Sequence, residues 1–155
     1  MHDFSDLLRP EAVRKDVSAG HKKQLFQQLG MIAHDMLAVD PRTVADLLGA
    51  RERLGSTGFG GGVAIPHAKL PGIDAVTGIF VRLAQPMQFD AVDDLPVDLV
   101  FALLSPADAG AQHLKALARV SRQMRDRAFL AKLRGAGSDD ALFALFSADE
   151  ARDAA

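Results

Sequence analysis

His67 stands at the end of the run Gly58-Phe59-Gly60-Gly61-Gly62-Val63-Ala64-Ile65-Pro66-His67, where an imidazole has the means to attack phosphorus. A histidine ring titrates near pH ~6.5, so at neutral pH much of it carries a free lone pair and needs no separate base. Pro66 fixes the backbone just before the ring and pushes Ile65 into the extended region, so the chain enters His67 as a strand end or a rigid turn. The glycines leave backbone N–H groups accessible to anionic oxygens. A backbone carbonyl taking one ring N–H would leave the other nitrogen as nucleophile, and either nitrogen fits that description. The plainer alternative is a histidine that only satisfies hydrogen bonds at a strand end; the restrained, glycine-rich approach favours the nucleophile.

Two further groups suit the same chemistry. His113 falls early in an amphipathic helix, and its spacing to Leu117 and Val120 places it at the border of the buried stripe. The field at a helix N-terminus disfavours the imidazolium, so a neutral ring could donate one hydrogen bond to a phosphoryl oxygen; a buried histidine bonded to backbone explains the position equally well. Arg51-Glu52-Arg53 comes just before the glycines. It reads either as a charged helix end facing solvent or as the source of a planar fork for the equatorial oxygens of a transferring phosphoryl group. His2, His21 and His34 are assigned no role, and Lys69 reads as an exposed surface lysine.

Other chemistries find less support. The glycine run lacks the Gly-Lys-Ser/Thr ending of a nucleotide-binding loop and leads into an extended segment, so no ATP site and no cofactor are expected. His67 and His113 make only two metal ligands where three or more are usual, and Asp93-Asp94 reads as a turn. The formal net charge is -2 and no basic stretch is long enough to grip a nucleic-acid backbone. There is no cysteine, no secretory signal in Met1-His2-Asp3-Phe4, and no apolar run of the ~20 residues that span a bilayer, so a cytoplasmic protein without direct membrane insertion is expected.

The elements that must position these groups follow from periodicity. Leu25, Leu29, Ile32 and Met36 recur at helical spacing and predict a helix to about Leu37, with Ser18 as its N-cap. Asp40-Pro41 starts a second helix that ends near Arg51 to Arg53. Five glycines in the eight residues from Gly55 to Gly62 exclude helix interior, and Val63 to Ile65 reads as a short extended piece. Strands are expected over Ala75 to Leu83 and Val97 to Leu104, the second buried on both faces, with Met87 to Val92 as a short edge strand between them. Beyond Ser105-Pro106 the period becomes helical, with Leu114, Leu117, Ser121 and Met124 on one face. A shorter helix runs from about Asp126 to Arg134, and Ser138 caps a last one carrying Leu142, Leu145 and Phe146. The 155 residues suit one domain, an α/β fold whose mixed sheet has helices on both faces, with a tail that frays from about Asp149.

The stretch from Arg51 through Gly55-Ser56-Thr57 and the glycines to Pro66-His67 resembles the active-site signature of enzyme IIA of the bacterial phosphoenolpyruvate-dependent phosphotransferase system, mannitol and fructose class. Pro96-Val97-Asp98-Leu99-Val100-Phe101-Ala102-Leu103-Leu104, followed by His113-Leu114 and Leu117-Ala118, resembles the nitrogen-related regulatory branch. Departures are small: Ala68 stands where a glycine is common and Gly61 where an asparagine is frequent. The resemblance implies that His67 is phosphorylated by a phosphohistidine on a small histidine phosphocarrier protein, with Arg51 and His113 as supporting groups and no metal. It implies regulatory targets such as sensor kinases or potassium-transport components, with relay of phosphate to a separate sugar transporter as the alternative. A protein donor needs an apolar rim around His67. Phe59 is a candidate contact, or equally a core anchor for the loop.

Overall fold

Backbone hydrogen bonding in the computed structural model, which describes residues 3–147, divides those residues into six strands and five α-helices. A 3-10 turn at Pro10–Ala12 leads into β1 (Val13–Val17), followed by α1 (Lys22–Leu37) and α2 (Pro41–Arg53). The glycine-rich segment supplies β2 (Gly58–Gly60), β3 (Val63–Ala64) and β4 (His67–Leu70). Two long strands, β5 (Thr77–Met87) and β6 (Val97–Pro106), precede α3 (Ala111–Gln123), α4 (Arg127–Gly135) and α5 (Asp139–Phe146). The expected fraying from Asp149 lies outside the described residues.

The sheet is mixed, ordered β1-β5-β6-β3-β2, with β4 also on β6. β5 and β6 are antiparallel; β1 runs parallel to β5, and β3 and β4 run parallel to β6. Alternation along the two central strands sorts the core. Ile79, Val81, Val100, Ala102 and Leu104 face Leu25, Leu29, Val44 and Leu48 of α1 and α2. Phe80, Leu99, Phe101 and Leu103 face Val120, Leu133, Leu142 and Phe146 of α3, α4 and α5. Helices thus cover both faces, as the sequence predicts, and all six residues Leu99 to Leu104 are buried. The two helices of the first layer approach closely: a Cβ on Gly30 would collide with the Pro41 carbonyl oxygen.

Several local expectations change. α1 is capped by His21, whose Nδ1 accepts from Gln24 N–H, rather than by Ser18. Asp40, Asp126 and Ser138 do cap the helices that follow them. Met87 closes β5, and the residues after it form no edge strand; Asp90 takes a positive φ of 58°, which interrupts extended backbone. Asp93-Asp94 lies in a turn, as expected, closed by Asp94 N–H on the Ala91 carbonyl. α3 is rotated relative to the expected stripe: His113, Ala116, Val120 and Met124 face the core, while Leu114 is 67% exposed. β1, with Arg14, Lys15 and Asp16 between its valines, carries no strand pattern in its sequence, and β4 extends what periodicity shows only as a strand end.

Candidate functional site

β3 and β4 are one strand interrupted by Ile65-Pro66. Val63 pairs with Leu99 and His67 with Leu103, the same offset on β6, so Pro66 costs a donor but not the register. The Pro66 carbonyl still accepts from Leu103 N–H at 2.9 Å. Alternation through Val63 and Ile65 carries the His67 ring to the face occupied by α3. Among the described residues β2 pairs only with β3, so β4 forms an open edge of the sheet there. Around that edge the last turn of α2 reaches His67 from the opposite helical layer.

The ring is held at both nitrogens. Nδ1 lies 2.9 Å from the Ile65 carbonyl oxygen, which can only accept, and Nε2 receives the Arg51 Nε–H at 3.2 Å. These partners demand one tautomer: Nδ1 carries the proton and Nε2 the lone pair. Burial is the main cause that lowers the His67 pKa below its ordinary value; the Ile65 hydrogen bond opposes this, and the Arg51 charge adds to the lowering. Arg51 is itself steadied by a 2.9 Å bond from Nη1 to the Gly55 carbonyl.

His113, in the first turn of α3, brings its ring centroid to 5.6 Å from that of His67. Its pKa is also lowered, first by burial and then by His67 and Lys69. Leu47, Ala50 and Leu54 wall one side of the cleft that His67 and His113 line, and Lys69 is exposed at its edge. The structure therefore brings together the three residues singled out in the sequence, Arg51, His67 and His113. Among the described residues no three His, Cys, Asp or Glu side chains converge as metal ligands. His34 faces solvent, with Nδ1 3.0 Å from the Val39 carbonyl.

The supporting groups are less legible in the sequence. Glu52, which resembles its neighbours in a charged helix end, is buried and accepts from Thr57 N–H at 3.0 Å, from Thr57 Oγ1 at 2.5 Å and from Lys22 Nζ at 2.9 Å. It fastens the glycine segment to the turn that carries Arg51. The far end of that segment is clamped as well: Asp93 accepts from Gly61 N–H at 3.0 Å, and Arg134 donates to the Gly61 carbonyl at 2.8 Å while paired with Asp98. Gly62 is required here, because its φ is +82° and a Cβ would meet Arg134 Nη2 at 2.5 Å. Phe59 packs against the α3, α4 and α5 core and lies under the Arg125 guanidinium, as a loop anchor would. Leu54, which lines the cleft, is 85% exposed, and Leu114, next to His113 in α3, is 67% exposed.

Known proteins share both the sequence and the fold. The family model described as phosphoenolpyruvate-dependent sugar phosphotransferase system, EIIA 2, matches residues 6–149. A nitrogen regulatory protein of Bradyrhizobium diazoefficiens is 43% identical over 144 residues, covering 93% of this chain and 94% of its own. The nitrogen regulatory protein of Escherichia coli K12 is 40% identical over 149 residues, with 95% and 91% covered. The crystal structure of nitrogen regulatory protein IIA-Ntr from Neisseria meningitidis has a TM-score of 0.85 at 35% identity and covers 90% of this chain and 96% of that one. No helix among the described residues is long and apolar enough to cross a membrane. The chain belongs to the enzyme IIA type 2 family of the phosphoenolpyruvate-dependent sugar phosphotransferase system, among its nitrogen-regulatory members.

Proposed function

We propose that Nε2 of His67 accepts a phosphoryl group from a phosphohistidine on a small histidine phosphocarrier protein, and that the phosphorylated and free forms act differently on regulatory partners. The observation that carries this reading is the locked ring: Nδ1 is committed to the Ile65 carbonyl and the free lone pair is aimed at a cationic side chain. In the transfer, the P–N bond to the donor ring breaks with its electron pair returning to that ring, and the new bond forms to Nε2. Arg51 gives up its contact with Nε2 and turns its fork to the equatorial oxygens, while neutral His113 donates a hydrogen bond from the other side. Lowered pKa values at both histidines keep the nucleophile unprotonated and the helper neutral. Leu54 and Leu114 supply the apolar rim on which a protein donor docks.

Incubation with phosphoenolpyruvate, enzyme I and the phosphocarrier should add one acid-labile, base-stable phosphate, and His67→Ala should take none. Labelling of that variant at the wild-type level would remove the site assignment. The regulatory half is tested by capture of candidate sensor kinases and potassium-transport components with wild type, His67→Ala and His67→Glu. Capture that differs between the neutral and the charged variant supports a switch, and equal capture by all three argues against it.

A further inference from the structure

Ser105 lies beneath the cleft rather than in it. It sits near the end of β6, fully buried, in register opposite Lys69 of β4 and, by alternation, on the same face as Leu99, Phe101 and Leu103. Its Oγ lies 2.5 Å from Nδ1 of His113, and this is the one hydrogen bond its side chain makes among the described residues. His67 has a carbonyl at Nδ1, which fixes its tautomer outright. His113 has a hydroxyl there, which can donate or accept, so the direction of one hydrogen bond decides what the ring presents to the cleft.

The two directions are not equivalent. If the ring donated from Nδ1, the buried Ser105 proton would have no acceptor, and Nε2 would show a bare lone pair to a site that must receive phosphoryl oxygens. If the hydroxyl donates, its proton is satisfied, Nδ1 is used as an acceptor, and Nε2 carries an N–H. An unmade buried donor is the costlier defect, because an oxygen with two lone pairs tolerates an unfilled one. Burial, with the Lys69 charge adding to it, lowers the His113 pKa, so above its ordinary range the ring is neutral and its single proton must be on one nitrogen or the other.

We propose that Ser105 is a positioning residue: its hydroxyl donates to Nδ1 of His113 and holds that ring as the Nε2–H tautomer, which presents a donor to the phosphoryl group. The two histidines are then held in opposite tautomers, His67 with a lone pair at Nε2 and His113 with a proton there. The consequence for transfer rests on the reading of His67 as phosphoryl acceptor; the tautomer itself does not.

The experiment uses the full chain labelled with 15N, observed by long-range 1H–15N correlation at a pH where both rings are neutral. The wild-type spectrum is expected to show His113 protonated at Nε2 and His67 at Nδ1. A His113 ring protonated at Nδ1 overturns the proposal without any variant. Ser105→Ala should shift His113 towards the other tautomer and lower kcat for transfer about tenfold with KM for the phosphocarrier little changed, and Ser105→Thr should restore both. A folded Ser105→Ala protein with an unchanged His113 tautomer and wild-type kcat also overturns it. Wild-type protein that takes no phosphoryl group while His113 shows Nε2–H overturns the reading of His67 and upholds the hydrogen bond.

Discussion

Replacing Glu52 with alanine removes the tie between α2 and the glycine segment, and the structure sets the size of the loss. The carboxylate side chain is 5% exposed and holds Thr57 twice, through its N–H and its hydroxyl, and Lys22 once. Hydrogen bonds to a charged group contribute about 1.5–3 kcal/mol each, but the Thr57 pair is lost together and the two do not add in full. Lys22 is 27% exposed and keeps the Phe89 ring 4.7 Å away, so its share is at the low end. The total for Glu52→Ala is therefore about 3–4 kcal/mol, within the range found for breaking one side of a buried pair. For a chain of this size that lowers Tm by roughly 6–16 °C. Urea unfolding at unchanged m is the direct assay, and Glu52→Gln, which keeps an acceptor, should lose about half as much. A loss below about 1 kcal/mol in Glu52→Ala would show that water replaces the carboxylate and that the tie is not structural.

Two further expectations concern charge. Arg51→Ala should slow phosphoryl transfer about a hundredfold and Arg51→Lys about tenfold, because lysine keeps the charge without the fork; single-turnover transfer at wild-type rate in both variants would contradict the role given to Arg51. Stability should fall as pH drops below ~6.5: the unfolded chain then binds protons at His67 and His113 while the folded one, with both pKa values lowered, resists until lower pH. Urea midpoints measured across that window in wild type and in His67→Gln/His113→Gln should differ in slope, the wild type being the steeper, and parallel profiles would contradict the burial argument.

Much of this fold is written in local patterns, and the exceptions have physical causes. Asp40-Pro41 and Ser138 place helix starts correctly because a cap acts over only three residues. Ser18 misleads because His21, a less usual cap, offers its ring nitrogen to Gln24. β1 escapes notice because its central residues are charged and its strand character comes from pairing with β5, a partner more than sixty positions distant in the register Val13 to Phe80. Leu114, expected on the buried face, is exposed because α3 turns His113, Ala116 and Val120 to the core, and His113, expected at the border of the stripe, is buried with its ring on Ser105, a contact that periodicity does not contain. At the candidate site, residue type and surroundings single out His67 and His113, whereas Arg51 is preferred to Arg53 only by the family resemblance. Glu52 and Ser105 are not singled out, since their roles depend on burial and on partners set by the tertiary fold.

Whether Nε2 of His67 is the phosphoryl acceptor is tested most directly by 1H–15N–31P correlation on 15N-labelled protein after incubation with phosphoenolpyruvate, enzyme I and the phosphocarrier. One phosphorus coupled to Nε2 of His67 is expected, with the Nδ1 resonance still shaped by its bond to Ile65. Coupling to Nδ1 of His67, or to any other residue, would contradict the assignment.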